Sequence, residues 1–286
     1  MLGKLIKYEW KSIYKVGCIL LFALGLATLT VCLSSMAPMW QEIRNDTDYY
    51  FVNLGSTIMN MASVFSFFLY VLLMTGAVYA IFIYLVVRFY KSMYTDEGYL
   101  LHTLPVTKGQ ILVSKILVST VWAFLIYIGM MISLLFIVSV ISGESVFEIM
   151  KVLANIFVGL RDLLSVFMGS YSITGTVVAC ILYLILGIPM AVITMFGAVS
   201  LGQLSSKYRV LMAILWYVGI MIARGLLGFI IQVISYTALI FATGEEYIMS
   251  SYMNISLYSS LIINLLLAVG CYLASYHITS KKLNME

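Results

Sequence analysis

Long stretches without a charge dominate the chain, and the polar residues gather at their ends. About 20 apolar residues are enough for a helix to cross roughly 30 Å of hydrocarbon. The first charge-free run, Val16 to Gln41, predicts a span at about Val16–Met36 that ends near Pro38. The second, Tyr49 to Val87, is longer than one span needs. Its polar start (Asn53, Ser56, Thr57, Asn60) predicts an interfacial approach before a second span at about Met61–Val87. A third follows at about Ile116–Ile141, closed by Ser142-Gly143-Glu144. The run from Leu163 to Ser206 suits either one span or a tight hairpin of two. Its first residues (Gly169, Ser170, Tyr171, Ser172, Thr174, Gly175) are small and polar, which favours a single fourth span at about Thr176–Leu201. Gly187 and Pro189 are expected to kink it. A fifth span starts after Arg209, contains Arg224 and fades before Glu245; the sixth is about Met253–His277.

Composition agrees with this pattern. The chain is 63% hydrophobic and 10% charged, against about 25% charged in ordinary globular domains. Helices are the expected spanning form because lipid offers backbone groups no partner. A barrel would need short alternating segments with a polar lumen face, and the runs here are unbroken. The expected fold class is therefore an all-α polytopic membrane protein, a single membrane domain over residues 1–286 with six transmembrane helices.

Flanking charge tests the count independently, since cytoplasmic loops carry the excess of Lys and Arg. With both ends inside, the inner segments hold twelve of the 16 basic residues against four acidic ones, Glu9, Asp96, Glu97 and Glu286. The outer segments hold Arg44, Lys151 and Arg161 against eight acids. A hairpin in the fourth run would break this alternation, so one span is preferred. The longest outer loop is residues 143–173. The net charge of +4 thus reports orientation and gives no argument for nucleic acid. The expected location is the cell's inner (cytoplasmic) membrane. The first run is too long for a signal-peptide core and is expected to stay as an anchor. Cys18, Cys32, Cys180 and Cys271 stand apart inside apolar runs, as small apolar residues rather than a disulfide framework or metal site.

Residues 1–15 read as an amphipathic interfacial helix. Leu2, Leu5, Ile6, Trp10 and Ile13 fall in one sector, while Lys4, Lys7, Lys11 and Lys15 lie opposite. Such a helix lies in the headgroup region, lysines towards anionic lipid and Trp10 at the boundary. A plain positive flank for the first span is the alternative. Glu9 lies near the apolar sector and is expected to pair with a basic residue of another cytoplasmic segment, such as Arg88.

One cytoplasmic loop, residues 88–115, has content. Thr95 or Asp96 can cap a short helix beginning near Glu97, to which Tyr99, Leu100, Leu101 and Leu104 give an apolar face. Pro105 stops it, and Thr107 can cap the next helix, which carries Lys108, Gln110 and Lys115 into the third span. A short apolar helix held between two spans either meets a partner or lies on the bilayer. The run Asp96-Glu97-Gly98-Tyr99-Leu100, then Leu104-Pro105-Val106-Thr107, then Gln110-Ile111-Leu112 and Lys115, resembles the cytoplasmic loop of ABC-2 type exporter permeases. Six spans, an amphipathic N-terminal helix and cytoplasmic ends fit that family loosely over the whole chain. The resemblance implies a permease that pairs with a second copy or a sister permease. Tyr94 to Lys115 would form a coupling helix seated on a separate ATPase subunit, which would bind ATP and Mg. The short outer segment after the fifth span departs from the family, whose re-entrant outer helices would have to come from about residues 228–251.

Arg224 is the one charge deep in a predicted span. It reads as a cation of the translocation path or, if the fifth span breaks near Gly219–Gly228, as a side chain snorkelling to the outer interface. His102 and His277 each stand without a ligand neighbour at metal-binding spacing. GxxxxGK[ST], HExxH and GxSxG are all absent, and the spans offer almost no acid for proton or sodium coupling. The expectation is a non-enzymatic permease subunit with no cofactor of its own. Alternatives are a membrane-embedded sensor or assembly partner using the same loop, and a stand-alone carrier.

Overall fold

The computed structural model describes residues 2–44, 49–95, 97–98, 106–142, 145–152, 155, 170–205, 207–243 and 248–281. Six long helices account for most of them: α1 (Leu2–Arg44), α2 (Tyr49–Tyr94), α3 (Lys108–Ser142), α4 (Ser170–Gly202), α5 (Arg209–Thr243) and α6 (Ile248–Lys281). Each contains a stretch long and apolar enough to cross a membrane, and no strand occurs among the described residues. The protein is an all-α polytopic membrane protein with six spans. The short helical stretch 146–152 lies in the expected outer loop, most of whose remainder (156–169) is outside the described residues.

The helices overrun the hydrocarbon. The interfacial segment expected over residues 1–15 is helical from Leu2 but continuous with the first span, and α1 continues through position 38 to Arg44. At 1.5 Å per residue its 43 residues reach about 65 Å, twice the hydrocarbon thickness. No glycine pair or proline stands at the expected boundary near Lys15 and Val16 to break the helix. The polar approach to the second span is likewise part of α2. Over its described residues the fourth run forms one helix rather than a hairpin, Ser170–Gly202, continuous through Gly187 and Pro189. α5 is also unbroken across Gly219, Gly225 and Gly228, so Arg224 stands in mid-helix rather than in a re-entrant turn. Residues 228–243 complete α5 and 248–251 open α6, so no re-entrant outer helix forms among the described residues.

The chain divides into two compact units, with α1, α2 and α3 contributing to both. One comprises Lys11–Ile83 and Val121–Phe157. Its core gathers Ala27, Val31, Tyr70 and Ile137, with Cys32 and Met74 packed against it. Helix contacts in lipid lean on small residues and hydrogen bonds, because apolar burial between helices gains little there. Both devices are present. Gly17 lies flat against the Trp122 ring, where a Cβ would come within 2.3 Å of it. Ser34 and Ser66 share a 2.6 Å hydrogen bond between α1 and α2, and the Tyr70 hydroxyl meets Ser133 of α3 at 2.5 Å.

The other unit comprises Met1–Trp10, Tyr84–Thr120 and Val158–Glu286. Here α4 and α6 are held close by Gly197, whose Cα rests on Cys271 so tightly that a Cβ would come within 2.4 Å of the cysteine Cβ. A polar ladder runs between them. Thr176 Oγ1 donates to Asn254 Oδ1 at 2.8 Å, Tyr258 donates to the Gly175 carbonyl at 2.8 Å, and Asn264 Nδ2 donates to the Tyr183 hydroxyl at 3.0 Å. The Tyr183 hydroxyl also bonds Ser260. α5 is the exception among the spans: none of its most apolar window is buried, against 22% for each of the other five.

Candidate functional site

The ends of α2 and α3 that carry the loop are tied into three other helices. Lys115, two turns inside α3, is only 3% exposed. An isolated buried ammonium is costly unless paired and hydrogen-bonded. Its Nζ pairs with the Glu9 carboxylate of α1 and donates to Ser92 Oγ of α2 at 2.7 Å. The expectation that Glu9 would find a base on another segment is met by Lys115, not by Arg88. The reason is reach. Arg88 is taken by Glu97 of the loop at 3.0 Å, whereas Lys115 projects from α3 into the seam beside Glu9. Lys115 is therefore an internal brace and not, as the resemblance implied, a group presented to a partner. Trp10, beside Glu9, is 39% exposed.

The loop's first turn is built by geometry that its sequence dictates. The Gly98 amide donates to the Thr95 carbonyl at 2.7 Å, closing a turn. A Cβ at position 98 would come within 2.5 Å of the Met93 carbonyl oxygen, so only glycine fits there. Thr107 takes the N-cap position of α3, its carbonyl accepting from the amides of Gln110 and Ile111, and Val106 precedes it half-buried. Asp96, Tyr99, Leu100, Leu104 and Pro105, the remaining loop residues singled out above, lie outside the described residues.

Two further ties fix the loop ends. Tyr94 donates from its hydroxyl to Ser200 Oγ of α4 at 2.8 Å, while Phe89 stacks on Phe196 of the same helix with centroids 4.0 Å apart. Lys108 Nζ donates to the Ser280 carbonyl of α6 at 3.2 Å. Ser92, Ser200 and Ser280 carry no signal of their own in sequence, because lone serines in apolar helices are common.

Arg224 occupies a different setting. It is the sixteenth of the 33 residues in the α5 span, about 22 Å along the axis from Arg209. Met221, Arg224, Gly225, Gly228, Phe229 and Gln232 recur at helical spacing and line one wall of a cleft of about 360 Å³, with Ser260 and Ile263 of α6 opposite. Gln232 Nε2 donates to Ser256 Oγ at 3.3 Å across the same seam. Glu9 is the one carboxylate within the six spans, and it is committed to Lys115. Arg224 makes no ion pair among the described residues. Neither does any group of three or more His, Cys, Asp or Glu among those residues stand close enough to hold a metal.

Fold and sites together define a multi-pass helical membrane protein with an anchored loop at one end and a cationic cleft within the bilayer. No family model matches the chain, and neither a curated protein nor a solved structure matches it.

Proposed function

We propose that this chain is the membrane-spanning subunit of an ATP-driven exporter of the ABC-2 type. It works beside a second copy or a sister permease in the cytoplasmic membrane and is driven by a separate ATPase that binds ATP and Mg. The observation that carries this reading is the anchoring of the α2–α3 loop. Its ends are bonded to α1 through Glu9–Lys115, to α4 through Tyr94–Ser200, and to α6 through Lys108–Ser280. A loop wired in this way transmits a displacement to three helices at once, which is what a coupling element needs if nucleotide-driven movement outside the membrane is to change packing within it. The sequence resemblance of residues 96–115 supports the same assignment. The absence of carboxylates from the spans, Glu9 aside, supports an external energy source over ion coupling. A sensor would use the same loop, but it offers no role for an arginine cleft in mid-membrane.

Co-purification in mild detergent tests the proposal. A P-loop ATPase subunit should accompany the chain and hydrolyse ATP in the complex. Leu104→Asp or Gly98→Val should release it while the chain itself remains monodisperse. Recovery of the intact chain without any ATPase, together with unchanged function of both variants, would overturn the assignment.

A further inference from the structure

A guanidinium in the middle of an apolar helix needs a counter-charge or water. Among the described residues no carboxylate pairs with Arg224, and the one within a span, Glu9, is bound elsewhere. The cleft around it has the make-up of a ligand site: one cation, an amide (Gln232), a hydroxyl (Ser260), and apolar Met221, Phe229 and Ile263. Its volume of about 360 Å³ falls within the range of small-molecule sites. The glycines of its α5 wall are not demanded by the chain's own packing. A Cβ at Gly225 or Gly228 would meet no atom within 4 Å. At Gly197 and Gly17, by contrast, a neighbouring side chain fills that space. The room at Gly225 and Gly228 is thus available to something other than this chain. Arg224 is itself exposed, and α5 has no buried residue in its most apolar stretch, so the cleft is left uncovered by this chain on the α5 side.

We propose that the Arg224 cleft binds an amphipathic organic anion, a carboxylate or phosphate head on an apolar body, that enters from the membrane. The head forms a bidentate charge-assisted pair with the guanidinium, strengthened by the low dielectric around it. Gln232 Nε2, which gives one proton to Ser256 Oγ, has a second to offer the head, and the body lies against Met221, Phe229 and Ile263. This rests on the reading of Arg224 as part of a transport path and names the class of molecule that path takes. Binding itself requires no ATPase, so the two claims can fail separately.

The test uses the purified full chain in nanodiscs of neutral phosphatidylcholine, titrated with dodecanoate, dodecyl phosphate, dodecanol and dodecyltrimethylammonium. The two anions should bind saturably and raise the melting temperature, at least tenfold more tightly than the alcohol or the cation. Arg224→Gln should lose this preference at least tenfold, and Arg224→Lys should keep part of it. Should Arg224→Gln fold poorly, head-group selectivity on the unaltered protein still decides the matter. Repeating the titration with phosphatidylglycerol in the disc separates the sources of the anion. If a bilayer lipid is the occupant, phosphatidylglycerol competes with dodecanoate and stays on the unaltered protein, but not on Arg224→Gln, in native mass spectrometry. If a free amphipath is the occupant, phosphatidylglycerol does neither. Equal binding of anionic and neutral probes, or an Arg224→Gln protein that still prefers the anions, overturns the proposal. Lost anion selectivity with an ATPase still co-purifying overturns this inference alone; intact selectivity without any ATPase overturns the transport reading alone.

Discussion

Lys115 and Arg224 are both basic residues on long apolar helices, and the chain surrounds them in opposite ways. Lys115 is sealed, with a carboxylate and a hydroxyl brought to it from two other helices. Arg224 lies open in a cleft, and no span has a carboxylate to spare for it. A charge that is neutralised within the chain holds helices in place and has little capacity left to bind anything else. A charge left without a partner in an apolar setting weakens the resting protein and becomes useful once a ligand completes it. The pairing state thus separates brace from binding site, where burial or residue type alone would not.

The largest effect is expected at the brace. Lys115→Met leaves the Glu9 carboxylate half-buried without its cation and should lower stability by about 3–5 kcal/mol. The Glu9→Leu/Lys115→Met double variant removes both charges and should recover most of that loss. Unfolding of the purified chain in mixed micelles measures both, and a double variant no better than the single would break the contrast. Next comes Arg224→Leu. On translocon-derived scales a mid-membrane arginine costs about 2.5–3.5 kcal/mol, so its removal should leave the ligand-free protein as stable as before or more so. If Arg224→Leu is destabilised as strongly as Lys115→Met, Arg224 is a brace as well.

Smaller effects sharpen the picture of the anchored loop. Tyr94→Phe deletes the hydroxyl that meets Ser200 and Thr279 but leaves Ser200 Oγ bonded to the Phe196 carbonyl and Thr279 Oγ1 to the Ser275 carbonyl, so about 1 kcal/mol should be lost in the same unfolding assay. Glu97→Gln removes a pair in which the carboxylate is 57% exposed. That loss should be about 0.2–1 kcal/mol and should vanish near 1 M salt, where screening acts over about 3 Å. The Lys115 effect should survive the same salt, because its pair is shielded from solvent.

The six spans were legible because about 20 apolar residues are a strong signal, and the alternation of flanking charge settled the fourth run as one helix. Helix ends were less legible. Once outside the hydrocarbon a helix can continue over polar residues such as Lys4–Lys15 or Asn53–Asn60 at little cost, and hydropathy carries no mark of where it stops. The Glu9 ion pair was half legible. An acid on the apolar side of a lysine-rich helix signals a buried partner, but which base can reach it depends on how helices face each other, and that information is not in local sequence. Arg224 was visible as an anomaly, while its cleft was not. Gln232 and Ser260 look ordinary until α5 and α6 are set side by side.

The order of the chain adds a constraint on how this protein is made. Ser260 and Ile263, the far wall of the cleft, belong to α6, which leaves the ribosome after α5. Arg224 therefore enters the bilayer before the wall opposite it has been synthesised. During that interval the helix must stay in lipid on the strength of its own apolar residues, and the α5 span, with a mean hydropathy of 2.1, carries many of them. The apolar residues of α5 must therefore hold Arg224 in the membrane until α6 is in place.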